Sequence, residues 1–177
     1  MQTHSFAPLR KKINEFTCHG KVRVIHPIAV KKYIEVYDTC GKLLYKRKSP
    51  VQGSSWEIFD ALLHAPEIPL IRGVTVEIVL ADITEKRIKN GKGSWRRKGI
   101  SIFDKELSVF HESIVFSKPR DFLKFIPFKK GEEFTVASLA EQAEIKIIAA
   151  RKALYVLNKL KVVKRIGKKS NAWIYIS

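Results

Sequence analysis

Acidic side chains are scarce in this sequence. Seventeen Asp and Glu face 34 Lys and Arg, which leaves a formal net charge of +17 and a pI near 10.0. Such an imbalance excludes an acidic, cation-collecting protein and favours a polyanionic partner, of which nucleic acid is the commonest. A lysine-rich surface that serves only solubility or heat resistance is the blander source of the same charge. Cysteine is scarcer still. Cys18 and Cys40 stand alone with no CxxC between or around them, so no zinc pattern forms despite nearby His19 and His26. Two idle thiols in a reducing cytosol are expected, and a disulfide between them stays open.

Long apolar runs are missing too. No stretch of 18 apolar residues occurs, so no membrane span is expected, and the N-terminus has no apolar segment of the secretory kind. A cytoplasmic location follows as the expectation. The catalytic signatures GxSxG, HExxH, the P-loop and GxGxxG are all absent. Gly91-x-Gly93 reads as a flexible loop, because no strand-to-helix turn follows it. The five histidines, at positions 4, 19, 26, 64 and 111, give no ligand pair at helical spacing.

What is present is enough apolar material for a core. The chain has 177 residues and is 45% hydrophobic, which suits one ordinary domain or two small ones and excludes a disordered basic tail. The clearest patterning lies from Phe134 to Ser177. Thr135 is a good helix N-cap, and Val136, Leu139, Ala140 and Ala143 follow at helical spacing. The pattern breaks at Glu144-Ile145-Lys146, a short turn with one apolar plug. A longer helix then carries Ala150, Ala153, Leu154, Leu157 and Leu160 on one stripe. Val162, Val163 and Ile166 read as a strand, Gly167–Asn171 as a turn, and Ala172–Ile176 as a returning strand.

Upstream, Phe6 to Phe16 reads as a helix capped by Ser5, with Pro8 in its first turn, Leu9, Ile13 and Phe16 inward, and Gly20 as its stop. Lys21–Ile28 and Lys31–Tyr37 read as two strand-like runs parted near Pro27. Asp38–Gly41 is a turn, Leu43–Tyr45 the return strand of a hairpin, and Lys46–Pro50 a basic turn or edge. Trp56–His64 predicts a helix with Trp56, Phe59, Leu62 and Leu63 inward, ended by Pro66 and Pro69. Val74–Leu80 is β-branched and nearly continuous, so it predicts a central strand. Asp82–Gly99 is strongly charged and reads as a loop. Strands are expected around Ile100–Phe103 and Phe110–Phe116, a short helix over Arg120–Ile126, and a linker over Pro127–Glu133.

Two helices around a tight turn and then a basic hairpin resemble the winged-helix family. The resemblance covers the last 44 residues, with LAEQAEI at the family's first helix and turn, the Ala153–Leu160 stripe at its recognition helix, and Val162-Val163 leading into the wing. It implies a C-terminal winged helix-turn-helix domain, residues 128–177, that meets DNA, or RNA, through phosphates. Lys146, Arg151, Lys152, Tyr155 and Lys159 on the second helix, and Lys164, Arg165, Lys168 and Lys169 on the wing, are the candidate contacts. Ile147, Ile148 and Ala149 occupy the first turn of that helix, where DNA-reading members tend to carry polar groups. They offer methyls but no donors or acceptors, so a homodimer or protein contact there is the alternative. The residue-128–177 segment holds 11 bases and 4 acids, a denser positive charge than the remainder.

The N-terminal region, residues 1–127, more faintly resembles the later part of the restriction-endonuclease-like fold, the PD-(D/E)XK nucleases. Its order of helix, β-run, hairpin, helix and buried strand carries the likeness, with Gln2 at the third position of the family's Glu-x-Lys/Gln motif. An α/β (α+β) domain is therefore expected. The chain also looks like uncharacterised bacterial and archaeal proteins that join such a domain to a winged helix, through Arg47–Pro50, Ser94–Gly99 and Phe134–Ala140. The family's two acidic metal ligands would lie upstream of Met1. A non-catalytic protein is expected, with no cofactor, and Mg²⁺ only if such an upstream motif is restored. Glu35, Asp38 and Glu77 have no spacing that pairs them, and surface or salt-bridge roles are expected. Lys46-Arg47-Lys48 and Arg96-Arg97-Lys98, the latter beside Trp95, complete the candidate nucleic-acid contacts.

Overall fold

A computed structural model describes residues 5–92, 95 and 99–177. It is a mixed α+β structure. In chain order its elements are α1 (Arg10–Thr17), β1 (Val22–Tyr37), β2 (Leu43–Lys48), α2 (Ile58–Leu62), β3 (Val74–Lys89), β4 (Ile100–Phe116), α3 (Val136–Gln142), α4 (Ile147–Lys159), β5 (Lys164–Lys169) and β6 (Ala172–Ile176). The first four strands form one sheet in the order β2-β1-β3-β4, and β5 and β6 form a separate hairpin. Two compact units result. One comprises Met1–His26, Trp56–Ile78 and Ile114–Ser177, and the other Pro27–Ser55 and Val79–Ser113. The C-terminal module thus shares a unit with α1 and α2, a division that differs from a single boundary at residue 127.

In the first unit the order at the N-terminus is a 3-10 turn, Ala7–Leu9, leading into α1, with Pro8 in the first turn where its missing N–H costs little. Ser5 Oγ accepts from the Ala7 N–H at 3.2 Å, a local turn bond; the N-cap positions are Phe6 and Leu9, so the expected Ser5 cap does not form. Ile13 is buried, but Phe16 is 60% exposed, so the expected inward stripe fails at its last member. Phe6 instead fills the core and its N–H donates to the Ala61 carbonyl at 2.8 Å. The helix expected over Trp56–His64 is shorter: a 3-10 turn over Ser55–Glu57, then α2. An aromatic cluster holds this region, with Phe116 stacked on Phe122 at 4.3 Å and Phe125 edge-on to Phe59 and Trp56 at 4.8 and 4.9 Å. Phe122 and Phe125 come from a 3-10 segment, Pro119–Phe125, where a short α-helix was expected. Asp121 Oδ2 caps it by accepting from the N–H groups of Ser117 and Lys118.

The C-terminal elements follow their sequence closely. Thr135 Oγ1 accepts from the Ser138 N–H at 3.2 Å, and Ser138 Oγ accepts from the Thr135 N–H at 2.8 Å, a reciprocal cap on α3. Glu144 takes a positive φ of 52° in the turn between α3 and α4. The stripe Ala150, Ala153, Leu154, Leu157 and Leu160 is buried as expected, joined by Val156. Each buried leucine there contributes about 2–3 kcal/mol. Val162 and Val163 are not in the strand, which begins at Lys164. Val163 serves the core instead, and the Asn158 side chain donates to its carbonyl at 3.2 Å. The hairpin turn is tighter than Gly167–Asn171, because β5 runs on to Lys169 and Ser170 takes a positive φ of 55°. Phe134 pairs with Tyr175 as an isolated bridge, and Phe128 stacks on Phe134 at 4.6 Å, which fastens the hairpin to the segment before α3.

The second unit is built on long strands. β1 runs unbroken through Pro27, where an end was expected. β2 pairs with β1 only from Tyr33 to Tyr37, so the proline falls where that edge of β1 has no strand beside it and a missing N–H costs little. β3 continues nine residues beyond Leu80, into the charged stretch read as a loop. Its carboxylates are buried and paired there rather than solvated. β4 is one strand of 17 residues, not two short ones. Between β3 and β4, Gly91 and Gly99 both adopt positive φ, and the Gly91 N–H donates to the Gly99 carbonyl. The φ of Gly99 strains any other residue there, and a Cβ would also lie a tight 3.1 Å from the Gly91 Cα. Among the described residues no helix is long and apolar enough to cross a membrane.

Candidate nucleic-acid interface

The exposed face of α4 is set by helical spacing. Burying Ala150, Ala153, Leu154 and Leu157 leaves Ile147, Arg151, Tyr155 and Lys159, four residues apart, on the opposite side. The β5–β6 hairpin stands beside the first half of that stripe. Between them lies a groove of about 710 Å³, lined by Val136, Ala137, Ile147, Arg151, Tyr155, Arg165, Lys169–Trp173 and Tyr175. Among the described residues no carboxylate lines it. Three cations and three aromatic rings do.

Trp173 organises the hairpin side of this groove. The Arg165 guanidinium lies over its ring at 4.1 Å and within 5.7 Å of Tyr175, and Lys168 Nζ lies over the Trp173 ring at 4.3 Å. Packing against a π-face positions these cations without neutralising them, so their charge stays available. Lys159 Nζ lies over the Tyr155 ring at 5.8 Å. Tyr155 is shared with a second hollow of about 470 Å³ lined also by Arg10, His64, Glu67 and Lys159. Among the described residues Glu67 is the one acid there, and Arg10 pairs with it.

The remaining predicted contacts divide. Lys146 is the exposed residue preceding α4, and Lys164 is exposed on β5 opposite Ile176. Lys152 leaves the set, because its Nζ lies 2.7 Å from Asp60 Oδ1 and ties α4 to α2. Lys46 also leaves it, held at 2.9 Å by Glu35 and standing over the Tyr33 ring at 5.8 Å. Arg47 and Lys48 are exposed on the edge strand β2. Arg96, Arg97, Lys98 and Gln2 lie outside the described residues. The sequence reading missed Trp173 as the organiser, for which the signal was an aromatic spaced across a two-residue turn from Lys168. It also missed Arg10 and His64, which no local pattern links to α4.

Glu35, Glu77, Asp82 and Glu85 are engaged with basic side chains. Lys46 chiefly, with Tyr37 also donating at 2.8 Å, holds Glu35 below the usual carboxylate range. The His111 Nε2 lies 2.7 Å from Asp82 Oδ1 and lowers the Asp82 carboxyl, helped by the Lys31 N–H. Burial raises Glu85, but Lys32 and Arg87 at 2.6 Å outweigh it, and the net shift is downward. Glu77 pairs with Arg23, and Asp38 accepts from the Cys40 and Lys42 N–H groups in the hairpin turn. Such carboxylates are structural partners of cations and poorly suited to hold Mg²⁺. Among the described residues no group of three His, Cys, Asp or Glu is placed to hold a metal ion. Cys18 and Cys40 are free and exposed.

These features define an α+β protein with a basic, aromatic-lined groove near its C-terminus. The chain belongs to the family described as "Domain of unknown function (DUF8091)", whose model matches residues 1–117. The groove lies wholly beyond the matched residues. An uncharacterized protein of Treponema pallidum (strain Nichols) is 23% identical over 141 residues, covering 80% of this chain and 56% of that protein. The chain therefore spans little more than half the length of that relative. No solved structure matches the chain.

Proposed function

We propose that the chain is a non-catalytic nucleic-acid-binding protein, with DNA the first candidate and RNA the second, and that residues 128–177 form a winged helix whose helix α4 and hairpin engage phosphates. The observation that carries this is the groove itself. Arg151, Arg165 and Lys169 come from two elements, converge on one concavity, and meet no acid there. A solvated surface charge needs no such convergence. The net charge of +17 supports the same partner class. The exposure of Ile147 and Ile148, 51% and 64%, favours a protein partner or homodimer as the second reading.

A fluorescence-anisotropy titration with labelled DNA, single-stranded and duplex, tests the proposal. Binding is expected to weaken steeply as salt rises from low to physiological, because phosphate contacts release counterions. The pair Arg151→Glu and Lys169→Glu is expected to weaken binding at least about tenfold and to reduce the salt slope by about one per removed contact. Binding that is absent at low salt, or unmoved by this pair, would overturn the proposal and leave the apolar turn of α4 as the surface to pursue.

A further inference from the structure

The groove has a property that phosphate binding alone does not use: its floor is aromatic and apolar. Trp173 and Tyr155 are 39% and 45% exposed, and Val136, Ala137 and Ile147 complete the lining. A duplex hides its base faces in the stack and offers base edges in its grooves. Reading those edges takes polar side chains, and the start of α4 carries Ile147, Ile148 and Ala149 instead. An unpaired strand offers the reverse, free base faces with phosphates alongside, which aromatic rings flanked by cations are suited to hold.

The path is also long. Ile147, Arg151, Tyr155 and Lys159 recur every four residues, so they stand about 6 Å apart and together span about 18 Å of α4. The stripe begins in the hairpin groove and ends in the second hollow beside His64 and Arg10, with Tyr155 common to both. A duplex seated on the start of a helix does not follow its exposed face to the far end. A flexible strand does.

We infer that this track binds a single-stranded nucleic acid, with a base stacked on Tyr155 and phosphates held by Arg151, Arg165, Lys159 and Lys169. The inference rests on the nucleic-acid reading above and narrows it to unpaired strands. The test uses the full chain and anisotropy with labelled oligo-dT and oligo-U of about 20 nucleotides and a blunt duplex of the same length, at low salt and at about 0.15 M.

Oligo-dT or oligo-U is expected to bind at least about tenfold more tightly than the duplex, and whichever of the two is tighter identifies DNA or RNA as the source. Tyr155→Ser is expected to weaken single-strand binding about tenfold, the loss of one stacked base, and to weaken duplex binding much less. Tyr155→Phe keeps the ring and is expected to retain affinity. Tyr155 is on the surface, so neither change threatens the fold. Duplex binding equal to or tighter than single-strand binding would overturn the inference while leaving the nucleic-acid proposal in place. Equal behaviour of the Ser and Phe variants would do the same. No binding of any of the three at low salt would overturn both.

Discussion

Glu85 is 1% exposed, yet it sits in a strand as an acid between two bases. Burial alone pushes its carboxyl up. Lys32 and Arg87 reverse the sign and hold it below the usual carboxylate range. A group whose folded pKa is depressed contributes stability above its unfolded pKa and loses it as pH falls through the folded value. Glu85→Gln leaves two cations facing a neutral amide in a buried site, at a cost of about 3 kcal/mol near neutral pH. Urea denaturation of both proteins across an acid series is expected to show that difference largest above the ordinary Glu range and shrinking as pH falls below it. A difference independent of pH would mean that the amide's fit, not the charge, sets the cost.

At the scale of elements, the sequence was most legible where one local rule decided the structure. Ala172–Ile176 and the buried stripe of α4 follow from periodicity alone. Thr135 could be read as a cap because capping chemistry is local. Ser138, its reciprocal partner, sat three residues on and was not singled out. Thr135→Ala removes one side of this box and is expected to lower stability by about 1 kcal/mol, measured as a lower thermal midpoint. A midpoint unchanged within error would mean that Ser138 alone satisfies the helix start. Legibility failed where distant partners decided the outcome. Asp82–Lys89 looked like a loop because its charges find their counter-ions on β1 and β4, which no local pattern displays. Pro27 looked like a strand end because the sequence does not say which edge of β1 lacks a neighbour. The two-part reading of β4 failed for a similar reason: Asp104, Lys105 and Glu106 interrupt the apolar pattern but not the strand, since they are exposed at the sheet edge.

Taken whole, the molecule carries its charge unevenly in kind. The buried acids of the sheet, Glu77, Asp82 and Glu85, are spent on structural pairs, while among the described residues the cations of the C-terminal groove are arranged without acids. Most of the candidate site was legible as a composition, Arg and Lys on α4 and the hairpin. Its geometry was not, because the groove exists only once the hairpin folds back beside the helix, and because Lys152 turns aside to Asp60. This unevenness gives salt two opposite effects. A net charge of +17 repels itself within the compact state, and added salt screens that repulsion. The free protein is therefore expected to gain a few degrees in thermal midpoint between low salt and about 0.3 M NaCl. If the proposed nucleic-acid binding holds, affinity is expected to fall over the same range, since phosphate contacts release counterions. Thermal melts of the protein with and without oligonucleotide, run at each salt concentration, read both effects together. The stabilisation added by the ligand should be greatest at low salt, where the free protein is weakest, and should vanish as salt rises. A ligand stabilisation that held constant with salt would mean that the partner is held by apolar contact, at Ile147 and Ile148, and not by charge.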